Sequence, residues 1–498
     1  MTPDTAELAI ADPARELPGR RAAAEETPAR PGRPLARAAR ARELPWPGGR
    51  LSAAVDSLGP PRARAVRDSW RALWSSRLLI WAVGIATLLT YGFGPVRHAF
   101  NPPGLTRGFG RLGDLLAAPA ARWDASWYLV IAHYGYRPDL GAFTASRDAF
   151  FPLYPLGLRG LGWLGLPLIA AGVLISLLAL ALALYGIHRL TTLELSALAR
   201  RRSGSARREQ GGLADADIAR LAVMLTAFAP MAFFLSAVYS EALYLALSVG
   251  LFYAARRGRF ALAGALAALA GATRSTGLVL LLPALVLYLY GPREDRVPDR
   301  PLARGLSPRY RLRKDMLWLA LAPVGLLLYM LYLGLAGGDA LAPFHAQDVW
   351  GRHFAGPYLG IWDGLQAAFE GARQLLSMQQ AHAYFPAGGE SPFVAAEHNL
   401  LLFAFLAAAL VATAGVLRRL PAAYGAYVIA ALALPLSYPV TAQPLMSLPR
   451  FLLVLFPLNI WFALWLAERP RLRAPALGCS GLLLAFFLAQ FATWHWVA

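Results

Sequence analysis

An all-α polytopic membrane protein is the fold class the sequence predicts, and three observations predict it. Hydrophobic residues make up 57% of the chain and charged residues only 15%, with a mean hydropathy of +0.44; soluble domains carry roughly 25% charge. Apolar runs of roughly 20 residues, enough for a helix to cross about 30 Å of hydrocarbon, recur from about residue 77 to about residue 495. Between these runs the arginines gather in clusters, the pattern of cytoplasmic loops. The net charge of +19 and pI near 10.5 therefore point to a membrane and not to nucleic acid.

Residues 1 to about 70 are dominated by Ala, Pro, Arg and Glu without a sustained apolar period. Such a segment buries too little surface to offset the entropy of ordering, so a disordered cytoplasmic tail is expected. No apolar core follows the start closely, so no cleaved signal peptide is expected. The integral membrane domain is then 71–498. Its runs are about 77–95, 164–187, 219–237, 239–255, 260–290, 315–336, 398–416, 421–439, 451–467 and 474–495. The run 260–290 has basic flanks on both sides, Arg256-Arg257-Gly258-Arg259 before it and Arg309 to Lys314 after it. It is too long for one straight crossing and too short for two, which predicts a short helical hairpin with Thr273-Arg274-Ser275 at its apex. About 10–12 membrane helices result.

The Arg clusters, which include Arg200 to Arg202, Arg418-Arg419 and Arg469 to Arg473, orient the chain with its N-terminus in the cytoplasm. Four segments fall on the extracytoplasmic side: a long loop from about 96 to 163, the turn at Tyr239-Ser240-Glu241, a second long loop from about 337 to 397, and the turn Thr441 to Arg450. Irregular backbone near membrane depth is buried in protein or lines a wet cavity. A functional site is expected on that side.

The first loop holds RWDASWYLVIAHYGY, Arg122 to Tyr136, where Asp124 stands between Trp123 and Trp127. The spacing of Trp127, Val130, Ile131 and Tyr134 fits a helix lying along the interface. The carboxylate has four readings from residue type alone: cation ligand, proton acceptor, ion pair with Arg122, or solvent-facing charge in an aromatic belt. Glu241, in FFLSAVYSEALY, either serves the site or caps the following helix. Arg274, with hydroxyls on both sides, suits a phosphate, since guanidinium offers planar paired donors; it also suits simple neutralisation of Glu241 or Asp124. In the second loop, PFHAQDVWGRHF carries Gln347, Trp350 and Arg352, side chains that bind sugars, beside His345, Asp348 and His353. These lack the spacing of a metal centre, so no metal site is assigned. Arg450 in SLPRFLLVLFP is either an anchor that reaches the interface or a second contact to a lipid phosphate. Cys479, the single cysteine, is expected to pack as a small apolar residue. No Walker A, GxGxxG or GxSxG motif occurs, so an activated donor would have to arrive already in the membrane.

In order and spacing, RWDASWYLVIAHYGY, FFPLYPL, AFFLSAVYSEALY, GATRSTG, FHAQDVWGR and SLPRFLLVLFP resemble the PIG-V-type mannosyltransferases, in particular their actinobacterial-looking relatives, over about residues 75 to 470. The resemblance implies a C-type glycosyltransferase fold with two long extracytoplasmic loops. It also implies an inverting transfer of mannose from a polyprenyl-phosphate donor to a lipid or glycolipid acceptor at the extracytoplasmic face of the plasma membrane. No cofactor is implied. Asp124 would be the catalytic carboxylate, and Trp123, Tyr239, Glu241, Arg274, Gln347, Trp350, Arg352 and Arg450 would bind substrate. Two other functions fit the residues: a flippase or transporter of lipid-linked sugar, since intramembrane charges also mark substrate paths, and a membrane scaffold. A C-type transferase for another sugar is a further alternative.

Overall fold

The computed structural model describes residues 54–94, 100–137, 146–202, 208–300, 307–379, 391–441 and 443–497. Most of the expected tail, residues 1–53, lies outside that set. Its inner end does not: helix α1, Pro60–Tyr91, begins well before the expected boundary at 70. Arg62, Arg64, Arg67 and Arg71 lower the hydropathy of its first turns without interrupting the helix, so hydropathy alone started the run about 17 residues late.

The helices that follow are α2 Gly110–Ala117, α3 Ala125–Tyr134, α4 Leu153–Trp163, α5 Leu168–Arg202, α6 Arg208–Ala227, α7 Glu241–Arg256 and α8 Phe260–Gly271. Then come α9 Leu281–Tyr290, α10 Val324–Gly337, α11 Pro357–Ser377, α12 Pro392–Arg419, α13 Ala422–Leu436, α14 Leu448–Leu453, α15 Phe456–Ala467 and α16 Pro470–Ala492. No strand is formed among the described residues, only two isolated bridges. Five helices have the length and apolarity to cross a membrane: Pro60–Tyr91, Leu168–Ala197, Lys314–Gly337, Phe393–Arg419 and Pro470–Ala492. Four apolar helices are shorter: Phe260–Gly271, Ser275–Tyr290, Ala422–Leu436 and Phe456–Ala467. The protein is thus an all-α multi-pass membrane protein. Several of the expected spans are divided, and proline divides them. Lys314–Leu321 is a 3-10 turn that ends just before Pro323, where α10 starts afresh.

The run 260–290 does enter and return. Helix α8 leads to a break at Ala272 to Arg274, and Ser275–Leu280 forms a 3-10 turn that continues into α9. At the far end the Glu294 amide donates to the Arg256 carbonyl at 2.9 Å, so the residues flanking the hairpin meet. Close backbone approach against α10 requires glycine at Gly325, where a Cβ would stand 1.9 Å from the Ala268 carbonyl oxygen.

Between α6 and α7 the backbone leaves the α-helix and is fully enclosed in protein: Phe233 to Glu241 are all buried. Pro230 explains the stop, since it cannot donate and pushes its predecessor out of the helical region. The freed carbonyls are served by Arg77 of α1, whose guanidinium donates to Ala227 O at 2.9 Å, to Ala232 O at 3.0 Å and to Ser236 Oγ at 3.2 Å. An arginine with 1% exposure inside a helix bundle is costly unless paired in this way. Helix α16 presents Cys479 on its outer face, exposed and not packed as expected, because only one side of that helix faces the bundle.

Candidate active site

Two loops carry the acids, and they are tied together. The Val238 amide donates to Ala120 O at 2.9 Å, and the Tyr239 hydroxyl donates to Arg122 O at 2.9 Å. These bonds set the segment before α3 against the segment before α7. Asp124 stands at the N-terminal cap position of α3, the place where Asp ordinarily accepts from the first helical amides. It makes no such bond. Its carboxylate reaches across to Arg450, Nη1 to Oδ2 2.5 Å, although the two residues are far apart in sequence.

From Arg450 the charges alternate. The Arg450 Nε lies 3.1 Å from Glu241 Oε1, and Arg274 Nη1 lies 2.8 Å from the same oxygen. Asp124, Arg450, Glu241 and Arg274 form one chain of two acids and two guanidiniums brought from four separate segments. All four side chains are at most 14% exposed, Glu241 only 1%. Burying such groups is tolerable only when each charge is matched, and breaking a buried pair typically costs about 3–5 kcal/mol. The second carboxylate oxygen of Glu241 is buried without a hydrogen-bond partner, an open acceptor in the middle of the chain.

Aromatic rings enclose this network. The Arg450 guanidinium carbon lies 5.8 Å from the centre of the Phe234 ring, 5.7 Å from Tyr239 and 5.7 Å from Phe451, and Arg274 lies 5.5 Å from Phe451. Cation–π contact adds to the holding of both guanidiniums. Beside Tyr239, the Tyr128 hydroxyl is 2.9 Å from Ser240 Oγ.

The second long loop approaches the same place through Arg352, which donates to Tyr438 O at 3.0 Å. Burial and the neighbouring Arg450 pull the Arg352 guanidinium down to about 10. Trp350 sits half-buried, 6.1 Å ring to ring from both Trp127 and Phe150. Gln347 is half-buried, but among the described residues no hydrogen bond or ion pair joins its side chain to the charged network. His345 is exposed and bound to Asp339, Nδ1 to Oδ2 2.8 Å, which holds the Asp339 carboxyl below its usual range. Among the described residues no group of three His, Cys, Asp or Glu side chains is placed to hold a metal ion.

Several expectations are corrected by this geometry. Trp123 and Trp127 are 6% and 4% exposed and do not line an interface; α3 is buried around most of its circumference from Ala125 to Ala132. Period alone could not separate an interfacial helix from a buried one, since both repeat the same apolar face. The partner of Asp124 is Arg450 and not Arg122, whose Nε donates to Ala492 O at 3.2 Å. Arg450 is no anchor reaching for the interface, and Glu241 opens α7 without capping it. The Thr273 hydroxyl donates back to Leu269 O at 2.8 Å, which removes it from the apex as a phosphate donor. Arg77, Tyr128, Phe234 and Phe451 were not singled out from sequence. Arg77 stands at the first position of the apolar run 77–95, where an arginine reads as an ordinary flank.

Two cavities of about 590 and 430 Å³ open near the start of α1, beside Arg64 and Glu294. They are at the other end of α7 from Glu241, and their arginines are largely matched by acids, Arg64 by Asp217 at 2.8 Å and Arg67 by Asp56. The charged network is therefore the better candidate for chemistry.

Fold and site define the class: a multi-pass helical membrane protein with a buried acid–arginine network at one end. Within it, residues 98–287 match the family described as mannosyltransferase (PIG-V), so the expected resemblance holds over that segment. The segment contains Asp124, Tyr239, Glu241 and Arg274, whereas Gln347, Trp350, Arg352 and Arg450 lie beyond it. Similar proteins include the GPI alpha-1,6-mannosyltransferase 2 of Cricetulus griseus, 33% identical over 199 residues, which is 37% of this chain and 35% of that protein. The protein of the same name from Mus musculus is 32% identical over 201 residues, 38% and 36% of the two chains. That of Rattus norvegicus is 31% identical over 199 residues, 37% and 36%. The matched stretch spans about a third of these relatives' own length.

Proposed function

We propose that the protein is a membrane mannosyltransferase that moves mannose from a polyprenyl-phosphate donor to a hydroxyl of a lipid or glycolipid acceptor, with inversion at the sugar. The observation that carries this reading is the chain Asp124–Arg450–Glu241–Arg274, two carboxylates and two guanidiniums, of which Asp124, Glu241 and Arg274 belong to the segment similar to mannosyltransferases. Asp124 accepts the proton of the acceptor hydroxyl as its oxygen bonds to the anomeric carbon. The bond from that carbon to the phosphate oxygen breaks on the opposite face, and the phosphate departs with the electron pair. Arg274 and Arg450 stabilise its charge, the kind of prearranged electrostatic support that commonly dominates such catalysis.

At rest the same guanidiniums hold the acids. A donor phosphate that draws on Arg450 loosens its hold on Asp124, so the base is released as the leaving group is bound. Trp350 and Arg352 stand beside this site and bind the sugar; Tyr239 supports Arg450 with its ring. In this reading the site faces the extracytoplasmic side of the plasma membrane with the N-terminus in the cytoplasm, an orientation that the Arg clusters support. The test is incubation of the purified full chain with labelled polyprenyl-phosphate mannose and mixed lipid acceptors. A labelled product extractable with lipid is expected. Label that stays on the donor, with the protein folded, overturns the reading.

A further inference from the structure

Trp123, the residue before Asp124, packs against residues from the far end of the described chain. Its φ of +52° lies in the left-handed region, which a bulky side chain occupies only when its surroundings impose it. Three rings surround it: Phe100 at 5.3 Å, Trp494 at 5.6 Å and Trp496 at 5.2 Å, the last two edge to face. The preceding residue is gripped by the same segment. The Arg122 guanidinium lies 4.5 Å from the centre of the Trp494 ring, and its Nε donates to Ala492 O. Trp494 is itself in the left-handed region, at φ +67°, and 2% exposed. Ala492, Trp494 and Trp496 lie outside the matched segment 98–287, whereas Phe100, Arg122 and Trp123 lie within it.

The consequence is conformational. The Ala125, Ser126 and Trp127 amides that open α3 donate to the Arg122, Trp123 and Asp124 carbonyls; with Trp123 released to ordinary extended backbone those acceptors move away, and the freed amides compete with Arg450 for the Asp124 carboxylate. We propose that Trp494 and Trp496 are positioning residues for Asp124: they hold Trp123 left-handed, and so keep the carboxylate off its own helix and on Arg450. This rests on the reading of Asp124 as the base, and it adds to the mannosyltransferase reading two residues, Trp494 and Trp496, beyond the matched segment 98–287.

The test uses the purified full chain carrying Trp494→Leu, Trp496→Leu or Trp494→Phe. Either Leu variant should lower kcat by about 10–100-fold, the usual cost of misplacing a reacting group by about 1 Å. The donor KM should stay within about twofold, since ground-state binding is untouched. Trp494→Phe, which keeps a ring against Trp123 and Arg122, should recover most of the rate. Wild-type kcat in folded Leu variants, or a raised KM at constant kcat, overturns the proposal. Trp496 is half-buried, so its variant carries the test if Trp494→Leu fails to fold.

A second arm needs no activity. Thermal midpoints of Asp124→Asn, Arg450→Gln and the double variant report the coupling of that ion pair, which should be present in the wild-type background and lost in Trp496→Leu. Coupling that persists overturns the positioning role. If wild-type protein transfers no mannose, the mannosyltransferase reading fails and this arm alone judges the clamp.

Discussion

Replacing Asp124 with Asn tests the base assignment with little change of shape. Asn keeps the side-chain volume and one carbonyl oxygen, but it neither carries charge nor accepts a proton at working pH. The structural cost is bounded by the network. Arg450 loses a partner at 2.5 Å but keeps Glu241 at 3.1 Å, so no guanidinium is left wholly unmatched. A hydrogen bond to a charged group is worth roughly 1.5–3 kcal/mol, and the retained partner puts the loss at the low end of that range. The catalytic cost is larger. General-base assistance supplies about 10²–10⁴ in rate, which is about 2.7–5.5 kcal/mol of barrier. The variant should therefore insert, purify and melt within a few degrees of wild type while its kcat for transfer from labelled polyprenyl-phosphate mannose falls at least a hundredfold. Donor affinity should hold or improve, because Arg450 is freed for phosphate. A folded variant with activity within about tenfold of wild type would remove Asp124 from the role of base.

Arg274→Lys should lose donor affinity nearly as fully as Arg274→Ala, because one ammonium cannot reproduce paired planar donors; an active Lys variant, with Arg274→Gln plus Glu241→Gln milder than either alone, would reassign Arg274 to charge balance. For orientation, single cysteines at Arg111 and Phe354, both exposed, should react with an impermeant reagent added outside in a Cys479→Ser background, and one at Asp299 should not. The reverse pattern would invert the topology. Asp148, half-buried, has its pKa raised by burial and then by Asp339. A raised acid penalises folding once pH exceeds the unfolded value of about 3.9 and does so fully above the folded value. Asp148→Asn should thus raise the melting temperature at pH 8 and give a smaller gain as pH falls toward 4; an equal gain at both would place the effect in packing.

The helices were legible because a bilayer demands length and apolarity, which the sequence displays directly. The hairpin at 260–290 was legible for another reason: two basic flanks can share a side only if the chain between them returns. The pairing inside the site was not legible. Nothing local in RWDASW says that its carboxylate meets an arginine from SLPRFLL, since such a pairing arises from packing of α3, α7 and α14 and has no period. Burial of Trp123 and Trp127 escaped for the same reason. Their residue types suit an interface and a core equally; Trp123 is covered by Trp494 and Trp496, and Trp127 by Phe100, Phe150 and Trp350, aromatic residues from separate segments that no helical repeat announces. Gln347 is a different case: its chemistry fits a sugar, and the loop fold of Ala346–Trp350 brings Trp350 toward the site aromatics while no hydrogen bond among the described residues links Gln347 to the charges.

The irregular segments explain why the site sits where it does. A helix satisfies its own backbone and leaves only side chains for chemistry, whereas the breaks before α3, α7 and α14 and within the 260–290 hairpin expose ends from which Asp124, Glu241, Arg450 and Arg274 project toward one another. Each break must be compensated in a bilayer. Arg77 does so for the turn before α7, and the Tyr239 hydroxyl and the Val238 amide do so for the loop before α3. These bonds are also what hold the two acids in register, because they join the same loops that carry them. Loss of Arg77 should therefore be felt at Glu241 as well as in the bundle, and the compensation of backbone and the placement of catalytic charge are one set of contacts.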